Sequence, residues 1–88
     1  MNYDSALILN AWMLPSAIRH EVIFQVLHAL PLLQSVTLIN DHDPKPLFYQ
    51  LEAENPGMFH RTSVDPPNFQ YFAVVITRQP VSGDLPLV

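Results

Sequence analysis

One stretch of the sequence decides the fold, and it reads SVTLINDHDPKPL over residues 35–47. Its first part, from Ser35 to Asn40, is rich in β-branched and aliphatic residues and predicts a strand. Asp43 followed by Pro44 is typical of a helix start, with aspartate as the N-cap and proline in the first turn. The stretch therefore predicts a corner at which a strand passes directly into a helix.

A strand and a helix are also predicted before this corner. Residues from Ser5 to Trp12 contain a short apolar run of the kind that is buried on both faces of a sheet. After a break at Pro15, apolar residues recur with the period of a helix from Ala17 to Leu30. Strand, helix and strand thus follow one another through the first half of the chain.

The second helix is expected to be short and to be followed by two strands. Its predicted core contacts are Leu47, Phe48 and Leu51. It ends before residues 55–57, where proline followed by glycine suits a type II turn. Alternating patterns then predict strands over residues 58–64 and 69–78, which a turn over residues 65–68 joins into a hairpin.

The element order β-α-β-α-β-β predicts an α/β protein and, more specifically, an α+β two-layer sandwich. Two strand–helix–strand steps with short loops favour parallel pairing and right-handed crossovers. We expect a four-stranded mixed sheet with two helices on one face, as a single domain over residues 1–78. Residues 79–88 are expected to form an extended or flexible tail. The other face of the sheet then has no helix to cover it.

The composition indicates that this uncovered face meets a partner. Only 14% of the 88 residues are charged and 49% are hydrophobic, whereas roughly 25% are charged in an average domain. A chain this short buries about 60–65% of the surface that its unfolded form exposes. Since apolar surface remains in water, we predict a protein partner or a homodimer through the exposed apolar sheet face.

The charge and the absence of cysteine exclude several classes of function. The net charge is −4 with only four lysines and arginines, so the clustered cations of nucleic-acid binders are missing. Without cysteine there is no disulfide, no thiolate nucleophile and no cysteine-based metal centre. Neither a signal-peptide pattern nor an apolar run long enough to span a bilayer occurs. We therefore expect a cytoplasmic protein that does not associate with membranes.

Three segments of the sequence stand out together: Arg19-His20, residues 40–47 with the motif His-Asp-Pro-x-Pro-Leu, and residues 49–54 with Pro56-Gly57. In these segments the chain resembles an uncharacterised bacterial family, the domain of unknown function 2249. The resemblance covers roughly residues 6–78 and implies a fold related to the sulfur-carrier domains TusA and SirA. It also implies a genomic neighbourhood of hemerythrin-like and nitrogen-oxide-related proteins, and hence an accessory role in bacterial redox or nitrogen-oxide metabolism.

The chain departs from the sulfur carriers at the first strand–helix turn. Their active cysteine lies there in a Cys-Pro-x-Pro motif, whereas this chain has Met13-Leu14-Pro15-Ser16. Without a thiol there is no atom to carry a persulfide. We therefore predict a non-catalytic binding or accessory domain without sulfur-transfer activity.

The candidate ligand site lies where both helices begin, at the carboxyl ends of the first two strands. Open α/β sheets bind ligands at such an edge. The residues expected to bind a ligand are His20, Asp41, His42, Asp43 and Lys45. A phosphate is disfavoured, because Pro44 and Pro46 remove two amide donors from the helix start and two carboxylates flank it.

Other interpretations of these side chains stay open. A divalent metal (zinc, iron or manganese) suits the set His20, Asp41 and His42, with His60 as a further ligand, and no other cofactor is predicted. His42 with Asp41 could also form an acid–base pair, although no nucleophile is visible. In a structural interpretation, His42 fixes the turn, His20 pairs with Asp41 and Asp43 only caps the helix.

Overall fold

The secondary structure follows the sequence patterns over most of the chain. The computed structural model describes residues 7–80. Its elements are β1 (Leu7–Asn10), α1 (Ser16–Ala29), β2 (Ser35–Asn40), α2 (Lys45–Glu54), β3 (Phe59–Val64) and β4 (Phe72–Arg78), with a short 3-10 turn over Ala11–Met13. The order β-α-β-α-β-β and the α+β class are confirmed.

The four strands form one mixed sheet in the order β1-β2-β4-β3. β1 pairs with β2 in parallel, while β4 is antiparallel to both β2 and β3. The predicted parallel pairing is thus confirmed for β1 and β2. β3 also runs parallel to β2 but is not its neighbour, because β4, the more apolar strand of the hairpin, takes the central position. The carboxyl ends of β1, β2 and β3 consequently share one edge of the sheet.

Both helices cover the same face of the sheet. In the ladder between β2 and β4, Val36 lies opposite Ile76 and Leu38 lies opposite Val74, and all four side chains are buried. They form one core cluster with helix residues that include Ile23, Leu27, Leu47, Phe48 and Leu51. The three core contacts predicted for α2 are therefore confirmed, and we call the opposite surface of the sheet the open face.

β1 is the element for which the prediction was wrong. The predicted strand reached Trp12, but the strand ends at Asn10 and Trp12 lies in the 3-10 turn. β1 is an edge strand, and Leu7 and Ile8 are exposed rather than buried on both faces. A strand with one neighbour has fewer covering side chains, and a short apolar run does not reveal its place in the sheet. The first two residues of the predicted strand lie outside the described part.

The fourth strand begins later than predicted, at Phe72 instead of Phe69. A turn around Asn68 accounts for the difference. Its side-chain oxygen accepts the N–H of Gln70 at 2.8 Å, and its carbonyl accepts the N–H of Tyr71 at 3.1 Å. Asparagine is favoured where its side chain can bond to the backbone two residues further on. Because of these local bonds, β4 begins only at Phe72.

The turn between α2 and β3 has the predicted type. Gly57 has a φ of 73°, and the N–H of Met58 donates to the carbonyl of Asn55 at 3.1 Å, as in a type II turn. Gln79 secures this turn, because its backbone N–H bonds to Met58 and its side chain bonds to Gly57, both at 2.9 Å. The first residue of the predicted tail is thus hydrogen-bonded to the domain, while residues 81–88 lie outside the described part.

Candidate functional site

Arg19 on α1 joins the parts of the site. Its guanidinium lies 3.2 Å from the Asp41 carboxylate and 3.4 Å from the Asn40 side-chain oxygen. It also donates to the carbonyls of Leu14 at 2.9 Å and Trp12 at 3.4 Å. The side chain is only 15% exposed. One residue therefore connects the turn after β1, the first turns of α1 and the end of β2.

Asp41 and His42 form a hydrogen-bonded pair. His42 Nδ1 lies 2.8 Å from Asp41 Oδ1, the oxygen that also faces Arg19. The hydrogen bond from His42, assisted by the charges of His42 and Arg19, holds the pKa of Asp41 below its usual value despite desolvation. With Nδ1 engaged, the neutral ring has Nε2 as its remaining acceptor. The His42 side chain is 79% exposed, so this nitrogen is available to a ligand.

We expect His42→Ala to raise the pKa of Asp41 more than Arg19→Met does, because the hydrogen bond from His42 is the largest cause of the shift. A carboxyl-detected NMR titration of each variant measures this. Since the folded pKa lies below the unfolded value of about 3.9, Asp41 stabilises the fold above about pH 4 and loses this contribution as the pH falls through the folded pKa.

Asp41→Asn supplies the control for this prediction. In this variant the free energy of unfolding, measured by urea denaturation between about pH 5 and pH 2, should depend less on pH than in the native chain. A larger pKa change in Arg19→Met than in His42→Ala would show that the ion pair, and not the hydrogen bond, sets the titration of Asp41.

Asp43 stabilises the start of α2, but it is not the predicted N-cap, because the N-cap position is Pro44. The Asp43 carboxylate accepts the backbone N–H of Lys45 at 3.1 Å, and Lys45 Nζ lies 3.9 Å from its other oxygen. Of the amides that the two prolines leave at this helix start, one is therefore engaged within the corner. This supports the expectation that the corner does not hold a phosphate.

A cavity of about 300 Å³ opens between the starts of α1 and α2, and we call it the helix-start pocket. Its polar lining residues are Ser16, Arg19, His20, Asn40, His42 and Asp43. Three of the five predicted ligand residues, His20, His42 and Asp43, are thus brought together. Asp41 does not line the pocket but forms an ion pair with Arg19, which does, and Lys45 lines a different cavity.

The segment that contains this pocket also identifies the family. Residues 8–80, from β1 to the end of β4, match the family of uncharacterized conserved proteins DUF2249. The chain belongs to the DUF2249 family. No curated protein and no solved structure matches it. Within residues 7–80 of this DUF2249 domain, none of the helices has the length and apolar character needed to cross a membrane.

The predicted pair of His20 with Asp41 is not formed in this DUF2249 domain. The His20 ring stacks near the Phe24 ring, with centroids 6.4 Å apart, and Asp41 is engaged by Arg19 and His42. Adjacent helix residues point about 100° apart, and the longer guanidinium reaches the end of β2. Arg19 therefore makes the contact with Asp41 that one interpretation of the sequence gave to His20.

The predicted metal ligands do not form a metal site in the described residues. Among residues 7–80, no group of three or more histidine and carboxylate side chains is arranged to hold a metal ion. One Asp41 oxygen contacts both Arg19 and His42 Nδ1, and no contact joins Asp41 to His20 among these residues. His60 lies on the open face, because it is opposite Thr77 and next to the helix-facing Arg61–Ile76 pair. The structure therefore gives no support to zinc, iron or manganese at these positions.

Asn40 is the site residue that the sequence reasoning missed. It is 8% exposed and is the one buried polar side chain in the described part of the chain. Its amide donates to the carbonyl of His42 at 3.3 Å, and its oxygen faces Arg19. The side chain therefore links Arg19 on α1 to the backbone of the residue after Asp41. The period of two in β2, which places residues 36, 38 and 40 on one face, is the signal that would have found it.

Proposed function

We propose that this DUF2249 domain is a non-catalytic binding or accessory module whose ligand site is the helix-start pocket. The observation that carries the proposal is the convergence of His20, Asn40, His42 and Asp43 on one cavity. The cavity lies at the carboxyl edge of parallel strands, where open α/β sheets bind ligands. Its volume of about 300 Å³ is at the lower end of the range for small-molecule sites.

The lining favours a small molecule that forms hydrogen bonds and carries no negative charge. Imidazole, carboxamide and carboxylate groups supply donors and acceptors, while Ile23, Leu38 and Leu47 form an apolar lining. The one arginine at this pocket is paired with Asp41. An anion would meet the Asp43 carboxylate without gaining an unpaired cation, so a neutral polar ligand fits better.

A binding role without chemistry fits the side chains present. The chain has no cysteine, so we propose no sulfur transfer even though the element order supports a relation to TusA and SirA. His42 and Asp41 resemble an acid–base pair, but among residues 7–80 neither histidine of the pocket is hydrogen-bonded to a serine or threonine that would act as a nucleophile. The resemblance of residues 19–20 and 40–47 supports the part of the proposal that places the domain in bacterial redox or nitrogen-oxide metabolism.

Association through the open face belongs to the same proposal. Ile8 is 57% exposed there, and Ile39 and Val75 are half-buried among threonines. Apolar side chains on a face without helices support contact with a protein partner or a second copy. Light scattering tests this, because a monomeric mass at high protein concentration would exclude the second copy.

A screen of neutral polar fragments by amide NMR tests the pocket itself. Fragments that bind should shift the amide signals of His20, Asn40 and His42 together, because these residues line one cavity. His20→Ala removes one hydrogen bond worth about 1–1.5 kcal/mol, so binding should weaken about tenfold. His28→Ala is the matched control, since His28 lies on the same helix outside this pocket, and it should leave binding unchanged.

Two outcomes would contradict the proposal. Fragments that shift only other surfaces, and that bind His20→Ala as well as the native chain, would move the ligand site elsewhere. Titration of the untagged protein with zinc, iron and manganese tests the metal alternative. Stoichiometric binding that is lost in His42→Ala would replace the proposal with a metal site.

A further inference from the structure

A second and larger cavity, of about 410 Å³, opens on the other side of the α2 start. It lies between α2 and the β3–β4 hairpin, and we call it the β3 pocket. Its lining includes Lys45, Arg61, Ser63, Pro66, Tyr71 and Phe72. Two of the four lysines and arginines of the chain therefore face one cavity, in a protein whose net charge is −4.

Arg61 is positioned in this pocket by an aromatic contact. It lies opposite Ile76 in the β3–β4 ladder and so faces the helices. Its guanidinium carbon is 4.7 Å from the centroid of the Phe48 ring, and Phe48 is buried. Such a contact holds the face of the guanidinium and leaves the N–H edge for other partners. Within residues 7–80 Arg61 forms no ion pair.

Lys45 adds a second positive charge at the pocket. Its Nζ lies 3.9 Å from Asp43 Oδ2, the long end of ion-pair distances, and its side chain is largely exposed. Asp43 is the one carboxylate in the lining, and its other oxygen is occupied by the backbone N–H of Lys45. Two cations against one engaged carboxylate leave the β3 pocket with a positive charge.

We propose that the β3 pocket binds a small organic molecule with a carboxylate head and an apolar body. The planar fork of Arg61 matches a carboxylate, Lys45 contributes charge, and Ser63 and Tyr71 line the cavity with hydroxyl groups. The walls of Pro66 and Phe72 suit an apolar body. The volume of about 410 Å³ lies within the 300–1,000 Å³ typical of ligand sites.

A carboxylate fits this pocket better than a phosphate does. A phosphate at a helix start is held largely by backbone amides, and Pro44 and Pro46 remove two of them here. An arginine on an edge strand can also protect that edge from pairing with another chain. That protective role needs neither the contact with Phe48 nor a second cation beside it. The β3 pocket and the helix-start pocket share Asp43 and Pro44 in their linings. Arg61 lines the first of these two and His20 the second, so a variant of Arg61 or of His20 tests one site without the other.

Titration with benzoate, followed by amide NMR and by the Nε–H signal of Arg61, tests the inference. Benzoate should shift Arg61, Ser63 and Tyr71 along one saturable curve, and benzamide, which has the same ring without the charge, should bind at least about tenfold more weakly. Arg61→Met should weaken benzoate binding at least about tenfold, and Arg61→Lys, which keeps the charge but not the fork, about threefold.

His60→Met is the matched control, because His60 precedes Arg61 on β3 and points to the open face. It should bind benzoate as the native chain does. Unchanged amide dispersion in the Arg61 variants confirms that they are folded. Benzoate binding that survives in Arg61→Met, or inorganic phosphate that binds as tightly as benzoate, would overturn the proposal. No saturation at concentrations that fill a site with a Kd of about 1 mM would also overturn it.

Discussion

Leu38→Ala should lower the free energy of unfolding by about 3–4 kcal/mol. Leu38 is 1% exposed on β2, one of the two central strands, where it packs in the core cluster under both helices. Its truncation removes apolar contacts and leaves a cavity that the surrounding sheet cannot close. Small domains have a total stability of about 5–15 kcal/mol, so the variant should show a large fall in urea midpoint, followed by circular dichroism.

Ile39→Ala is the matched control, because Ile39 is the next residue of β2 and points to the open face. Ile39 is half-buried within the described chain, so we expect a loss of no more than about 1.5 kcal/mol. The measurement is made at two protein concentrations. Equal losses at both positions would show that the open face is as well covered as the core, and a loss that grows with concentration would show that a second copy covers it.

The corner between β2 and α2 was predictable because its signals are local. The predicted strand Ser35–Asn40 is confirmed in full. It was predictable because β-branched residues, alternation and the following prolines all lie within a few residues of one another. The sheet order was not predictable in the same way. β4 lies between β2 and β3 because its apolar side chains gain more from a central position, and such long-range competition leaves no local pattern. β1 is exposed for the same reason, because its place at the edge of the sheet is also set by this competition between strands.

The site was predictable as a region but not as a set of contacts. Asp41, His42 and Asp43 follow β2 directly, so their place at the sheet edge follows from the strand alone. Whether Arg19 or His20 meets Asp41 depends on side-chain reach and on the rotation of α1. That Lys45 and Arg61 line one pocket could not be predicted from the sequence. It depends on the sheet order, which places β3 beside the start of α2.

Arg19→Met should lower the free energy of unfolding by about 2 kcal/mol. The substitution removes bonds to the carbonyl of Leu14, the Asn40 side chain and the Asp41 carboxylate, and it leaves the buried Asn40 amide oxygen without its donor. Part of the loss is offset, because Arg19 Nε is itself buried without a hydrogen-bond partner among the described residues. The free energy of unfolding of Arg19→Lys should lie between those of the native chain and Arg19→Met, since one ammonium group cannot reach all of these acceptors.

Lys45→Met is the control for charge, because Lys45 is another cation beside the same corner. Its contact with Asp43 is long and exposed, so its loss should change the stability by no more than about 0.5 kcal/mol. Amide NMR of Arg19→Met should in addition show shifts at Asn40 and His42, because both are held through Arg19 or Asp41. If Arg19→Met costs no more than Lys45→Met, apolar contacts alone hold the corner, and the guanidinium is then available to bind an anion in the helix-start pocket.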